Sequence, residues 1–154
     1  MFPLELLNDL KEELQTELSG MTFINANETN VPFNIYQHRL PYKESEKDSA
    51  HFPFILLKIV DGNIDGETEA AVSSIVIVVG LIDESLDNQG HVDVINVLEK
   101  IYQYIVKKRT FSNKYSLTFP IRYQLDDEDY HPFHFGYMET NWEMMRVDRE
   151  DDFI

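Results

Sequence analysis

The chain has 154 residues, no cysteine, and 13 basic against 28 acidic residues, for a formal net charge of −15. This length fits one domain, and with 43% apolar residues a core forms without a disulfide or metal staple. The missing cysteines exclude disulfide frameworks, thiol nucleophiles and thiolate zinc sites. The charge disfavours gripping nucleic acid or an anionic membrane, both of which need cations.

Residues 3–18 read as an amphipathic helix: Leu4, Leu7, Leu10, Leu14 and Leu18 share one face, with Pro3 suited to its first turn and Gly20 to its stop. The first residues, Met1-Phe-Pro-Leu-Glu, do not have the pattern of a signal peptide. A turn-rich stretch, Asn25 to Asn30, leads to a predicted strand from Phe33 to Leu40. Residues 42–51 are polar and aperiodic and read as a loop.

Phe54 to Val60 is the second predicted strand, and the glycine-rich segment from Asp61 to Ala71 is a second loop. Val72 to Asp83 carries apolar residues on both faces, which predicts a central strand covered on both sides. Its longest apolar run, Ile75 to Ile82, is too short to span a bilayer, so a soluble protein is expected. A second helix from His91 to Lys108 carries a stripe of Val94, Ile95, Leu98, Ile101, Tyr102 and Ile105. Lys107, Lys108 and Arg109 complement its C-terminal dipole.

Lys114 to Leu125 alternates cleanly, with Pro120 indicating an edge or a bulge. Phe133 to Met145 is the last predicted strand, and its apolar phase changes near Gly136, as a bulge would cause. The acid is unevenly distributed: from Asp126 to Ile154, ten carboxylates stand against two arginines. The expected fold is α+β, a mixed, mostly antiparallel five-stranded sheet with two main helices in the order α-β-β-β-α-β-β. Residues 1–147 form the single domain, and 148–154 an acidic flexible tail. Two helices cover one sheet face, so apolar surface is left for a partner, most simply another copy of the chain.

A search for chemistry finds no phosphate loop, nucleophile elbow or His-Glu-x-x-His pair. The one constellation is Asp126-Asp-Glu-Asp-Tyr-His131-Pro-Phe-His134. Carboxylates beside histidines can hold a divalent metal and activate water, the basis of a metal-dependent hydrolase as the alternative reading. Against it, on a strand the spacing of His131 and His134 sends them to opposite faces, and Pro132 is awkward in a helix. No enzyme activity, cofactor or metal is expected.

In order along the chain come the leucine helix, Phe52-Pro-Phe54, Val79-Gly-Leu-Ile-Asp83 and Gly90-His-Val-Asp-Val94 leading to Ile101 and Ile105. Tyr115-Ser-Leu-Thr-Phe-Pro120-Ile-Arg-Tyr123 and His131-Pro-Phe133 with Gly136 and Trp142 follow. This series resembles the tail-terminator (tail-to-head joining, tail-completion) family of long-tailed phages, over residues 1–145. The resemblance implies a virion structural protein, assembled in the host cytoplasm, that forms a hexameric ring. The ring caps the tail tube, stops its growth and docks onto the head connector or completion protein. DNA would pass its lumen without specific binding, with no membrane involved; another head–tail adaptor is the blander possibility. In such a subunit the two polar loops are the natural assembly contacts, through Glu44, Glu46 and Lys47 in the first and Asp61, Asp65, Glu67 and Glu69 in the second.

Overall fold

A leucine repeat of three and four builds α1 (Leu4–Glu17), with Leu6, Leu7, Leu10 and Leu14 fully buried. Leu4 is not part of that face; it is 57% exposed, and Leu6 takes the buried place assigned to it by spacing. The computed structural model describes residues 2–41, 49–87, 89–126 and 130–144. After α1 come β1 (Phe23–Ile24), β2 (Asn30–Val31), β3 (Asn34–Gln37), β4 (Phe54–Asn63) and β5 (Ala71–Ile82). Then follow α2 (Gln89–Lys108), β6 (Thr110–Phe111), β7 (Tyr115–Leu125) and β8 (Phe133–Met144).

Among the described residues the chain is α+β with two helices, but the expected five-stranded sheet and its element order are corrected. The main sheet has, among the described residues, six strands in the order β3-β4-β5-β8-β7-β6, and β1 and β2 form a separate two-stranded sheet. Both additions are two-residue strands held by turns. Ser112 and Asn113 both have positive φ, and the Lys114 N–H donates to the Phe111 carbonyl at 3.1 Å. That is the primed geometry which keeps β6 and β7 in register, here without an Asn-Gly pair to announce it. In the β1–β2 turn, the Asn25 side chain accepts from the backbone N–H groups of Asn27 and Thr29 at 2.9 and 3.0 Å. β3 and β4 pair in parallel and are not a hairpin; the other neighbours in the main sheet are antiparallel.

Both helices lie on one face of the sheet. There Ile55 and Leu57 of β4, Ile75, Ile77, Val79 and Leu81 of β5, and Met138, Trp142 and Met144 of β8 join the helix leucines and Val94, Val97, Leu98, Ile101 and Ile105 in one core. β5 is central, but it is not covered equally on both sides. Val76 and Val78 on its other face are half-buried, and Val72 is 40% exposed. A second cluster occupies one end of that open face, where Phe52, Phe54 and Ile82 pack with Phe133 and Phe135.

This second cluster explains the phase change in the last strand. β8 pairs with β5 without interruption from Ile82↔Phe133 to Ala71↔Met144, so no bulge lies at Gly136. Phe133 and Phe135 serve the open face, while Met138, Trp142 and Met144 serve the helix face. The register irregularity falls in β7, between Thr118 and Arg122, and contains Pro120. Among the described residues no helix is long and apolar enough to cross a membrane. The tail from Asp148 lies outside the described residues.

Candidate functional site

Beside α2, over the distal half of β7, lies a groove of about 500 Å³ lined by Ile95, Leu98, Glu99, Tyr102, Ile121, Tyr123 and Met138. Two apolar stripes meet there. On α2, periodicity assigns Ile95 and Tyr102 to the core stripe, yet they are 43% and 40% exposed, while Val97 is buried in the core. On β7, Tyr115 and Leu117 are buried, but Phe119 and Tyr123 of the same alternating pattern are 55% and 71% exposed. The side of α2 facing α1 is closed, and the Lys108 ammonium meets the Glu13 carboxylate there. The side facing β7 has no such neighbour among the described residues.

The outer edge of β7 is also open. β6 pairs only with Tyr115 and Ser116, so on the edge away from β8 no described strand lies against Thr118 to Leu125. Unpaired backbone N–H and C=O groups on such an edge are a template for another chain. Arg109, which ends α2 with positive φ, lies over the Phe119 ring with its guanidinium 5.0 Å from the centroid. The groove thus runs toward a cation at its lower end.

The first expected assembly loop is not placed: Glu44, Glu46 and Lys47 lie outside the described residues. Of the second, Asp61 belongs to β4 and not to a loop; its backbone carbonyl accepts from the Ser73 hydroxyl at 2.7 Å. Asp65, Glu67 and Glu69 are exposed on the connection between β4 and β5. The strands end at Asn63 and restart at Ala71, so the connection is 64–70. None of these carboxylates lines the α2–β7 groove of its own subunit.

A second groove of about 550 Å³ lies where this hairpin passes the start of α1. Its walls include Phe2, Leu4, Ile64 and Val72, and Ile64 is 57% exposed.

The residues of the hydrolase reading do not converge in what is described. His131 is exposed, Asp127, Glu128 and Asp129 lie outside the described residues, and among the described residues no three His, Cys, Asp or Glu side chains are placed to share a metal ion. His134 is buried at the start of β8, with Nε2 3.3 Å from the Asp83 carbonyl and its ring edge-on to His91 at 4.7 Å. His91 has no partner legible in the sequence; the pairing arises because Gly90 lets the start of α2 sit on the His134 ring. A Cβ at Gly90 would stand 2.2 Å from His134 Cδ2.

Beside this pair, Asp87 accepts from the Ser85 hydroxyl at 2.6 Å and the Gln89 backbone N–H at 3.2 Å. The hydroxyl bond first, and the backbone bond second, hold its carboxyl below the usual carboxylate value. This is capping chemistry at a helix start. A scan against protein-family models and a search of curated proteins give no match.

Proposed function

We propose that this chain is a structural subunit of a long-tailed phage virion, one that self-associates into a ring capping the tail tube and joining tail to head. The observation that carries the reading is the α2–β7 groove, where apolar stripes on a helix and a strand stay exposed beside a strand edge that no described strand pairs. A monomer has no use for three large exposed apolar side chains, Ile95, Tyr102 and Tyr123, gathered in one concavity; an assembly subunit does. The order of motifs along the chain supports the tail end as the place of assembly. The net charge of −15 suits a lumen along which DNA slides without sticking.

Repulsion between such acidic copies is long-ranged, so screening by salt favours association. Light scattering across a salt and concentration series, with electron microscopy of the protein alone and mixed with tail tubes, tests the reading. Rings, free or seated on tube ends, are expected. A strict monomer at high concentration and high salt that also fails to bind tubes removes the proposal.

A further inference from the structure

The charges of this chain are sorted by position. Between Lys100 and Arg122 the sequence holds six cations and no carboxylate, although the whole chain is at −15. Between Ile59 and Ser73 it holds four carboxylates and no cation. The first segment is the end of α2, β6 and most of β7, and so borders the α2–β7 groove; the second is the β4–β5 hairpin. Lys108 and Lys114 are engaged within the subunit by Glu13 and Glu5, but Lys107 and Arg109 are exposed at the groove's lower end.

The hairpin is shaped as the counterpart of this groove. It extends beyond the last β5–β8 pair, Ala71↔Met144, and from Val60 to Glu69 every residue is exposed. It carries Val60 and Ile64, 54% and 57% exposed, among Asp61, Asp65, Glu67 and Glu69. An apolar strip flanked by anions therefore stands at one end of the subunit; an apolar groove with one carboxylate, Glu99, in its wall and with Lys107 and Arg109 beyond it, where α2 ends, lies along another side. Their own subunit cannot bring them together. Met144 marks the hairpin end and Met138, opposite Tyr123, marks the groove; six residues of strand are roughly 20 Å, and β8 lies between.

We infer that the β4–β5 hairpin of one copy docks into the α2–β7 groove of the next, Ile64 against Tyr102 and Tyr123 and the hairpin carboxylates against Lys107 and Arg109. This rests on the self-association proposed above and specifies its contact. Because the two surfaces differ, the contact is head-to-tail, the kind that closes into rings. Complementary rim charges at such a contact fix register and partner choice more than raw affinity.

The absence of native cysteine makes a clean cross-linking test. Full-length Ile64→Cys and Tyr123→Cys proteins, mixed under mild oxidation free in solution and on tail tubes, are expected to form a disulfide-linked heterodimer. Neither variant alone is expected to do so, because hairpin does not meet hairpin and groove does not meet groove. In parallel, Asp65→Lys with Glu67→Lys and Glu69→Lys should weaken association by about tenfold or more. Adding Lys107→Glu and Arg109→Glu to the same chain should restore it. Rings that form without the mixed cross-link and without charge rescue overturn this contact and leave the ring reading standing. Absence of any self-association or tube binding by the unmodified protein overturns both.

Discussion

Thr140 is fully buried at the centre of the sheet, and its hydroxyl joins two elements of the core. It donates to the Ile75 carbonyl at 2.7 Å and accepts from Trp142 Nε1 at 2.8 Å, with the indole itself 0% exposed. Thr140→Val keeps the shape and removes both bonds. The orphaned indole N–H costs about 1–3 kcal/mol and the lost bond to the carbonyl about 0.5–1.5. The added methyl returns at most about 0.8 kcal/mol, so a net loss of about 1–4 kcal/mol is expected. For a chain of this size that lowers Tm by roughly 2–16 °C. Thr140→Ser retains the hydroxyl and gives up one methyl, about 1 kcal/mol. Denaturant unfolding read by fluorescence suits the comparison, because Trp142 is the sole tryptophan. If Thr140→Val proves as stable as the parent, or more stable than Thr140→Ser, the hydroxyl does not hold the indole as described.

Two further expectations concern α2 and α1. A Cβ at Gly136 would stand 2.5 Å from Val94 Cγ1, so Gly136→Ala lifts α2 from β8 and should cost about 1–3 kcal/mol; Val94→Ala in the same chain should recover part of the loss in thermal melts. Burial first, then Glu5 and Glu12, raise the Asp9 carboxyl above its ordinary value, and among the described residues its Oδ2 has no hydrogen-bond partner. A raised carboxylate costs stability when ionised, and that cost shrinks as pH falls through the folded value and vanishes below the unfolded value of 3.8. Asp9→Asn should therefore stabilise at neutral pH, by under about 1 kcal/mol because solvent reaches the group. Melts in acid should show no gain.

The long elements were legible because their patterns are long. Fourteen residues of α1 and twenty of α2 carry enough repeats to fix a helical period. What escaped was short or depended on a neighbour. β6 and the β1–β2 ribbon are two-residue strands, too short for a period to show; β6 is set by the turn conformations of Ser112 and Asn113, and the turn at Asn25 was legible but not the strands on either side of it. The Gly136 region suggested a bulge because two cores on opposite faces of one straight strand look, in sequence, like a slipped phase. The His91–His134 contact was invisible because it needs the start of α2 to lie over the start of β8. Of the candidate site, the acidic hairpin was legible as a loop, but the groove was not. Ile95, Tyr102 and Tyr123 fit the same periodicities as the buried residues around them, and only the placement of α2 decides which members of a stripe are left uncovered.

That ambiguity has a physical basis in how an assembly subunit is written. A stripe wider than the subunit covers serves two interfaces with one pattern, the inner half closing the core and the outer half awaiting a partner. In α2 the inner half is Val94, Leu98, Ile101 and Ile105, and the outer half is Ile95 and Tyr102. Charge then separates productive from unproductive encounters. As two copies approach to about a Debye length, about 8 Å at physiological salt, their net charges of −15 repel, and little holds them at random contacts. At contact the local sorting takes over, because the charged residues of the hairpin are all anions and those of the Lys100–Arg122 segment all cations. Repulsion of the whole and attraction of one pair of surfaces act at different ranges. Together they disfavour indiscriminate aggregation of a chain with this much exposed aromatic surface, while leaving one head-to-tail register attractive at close approach.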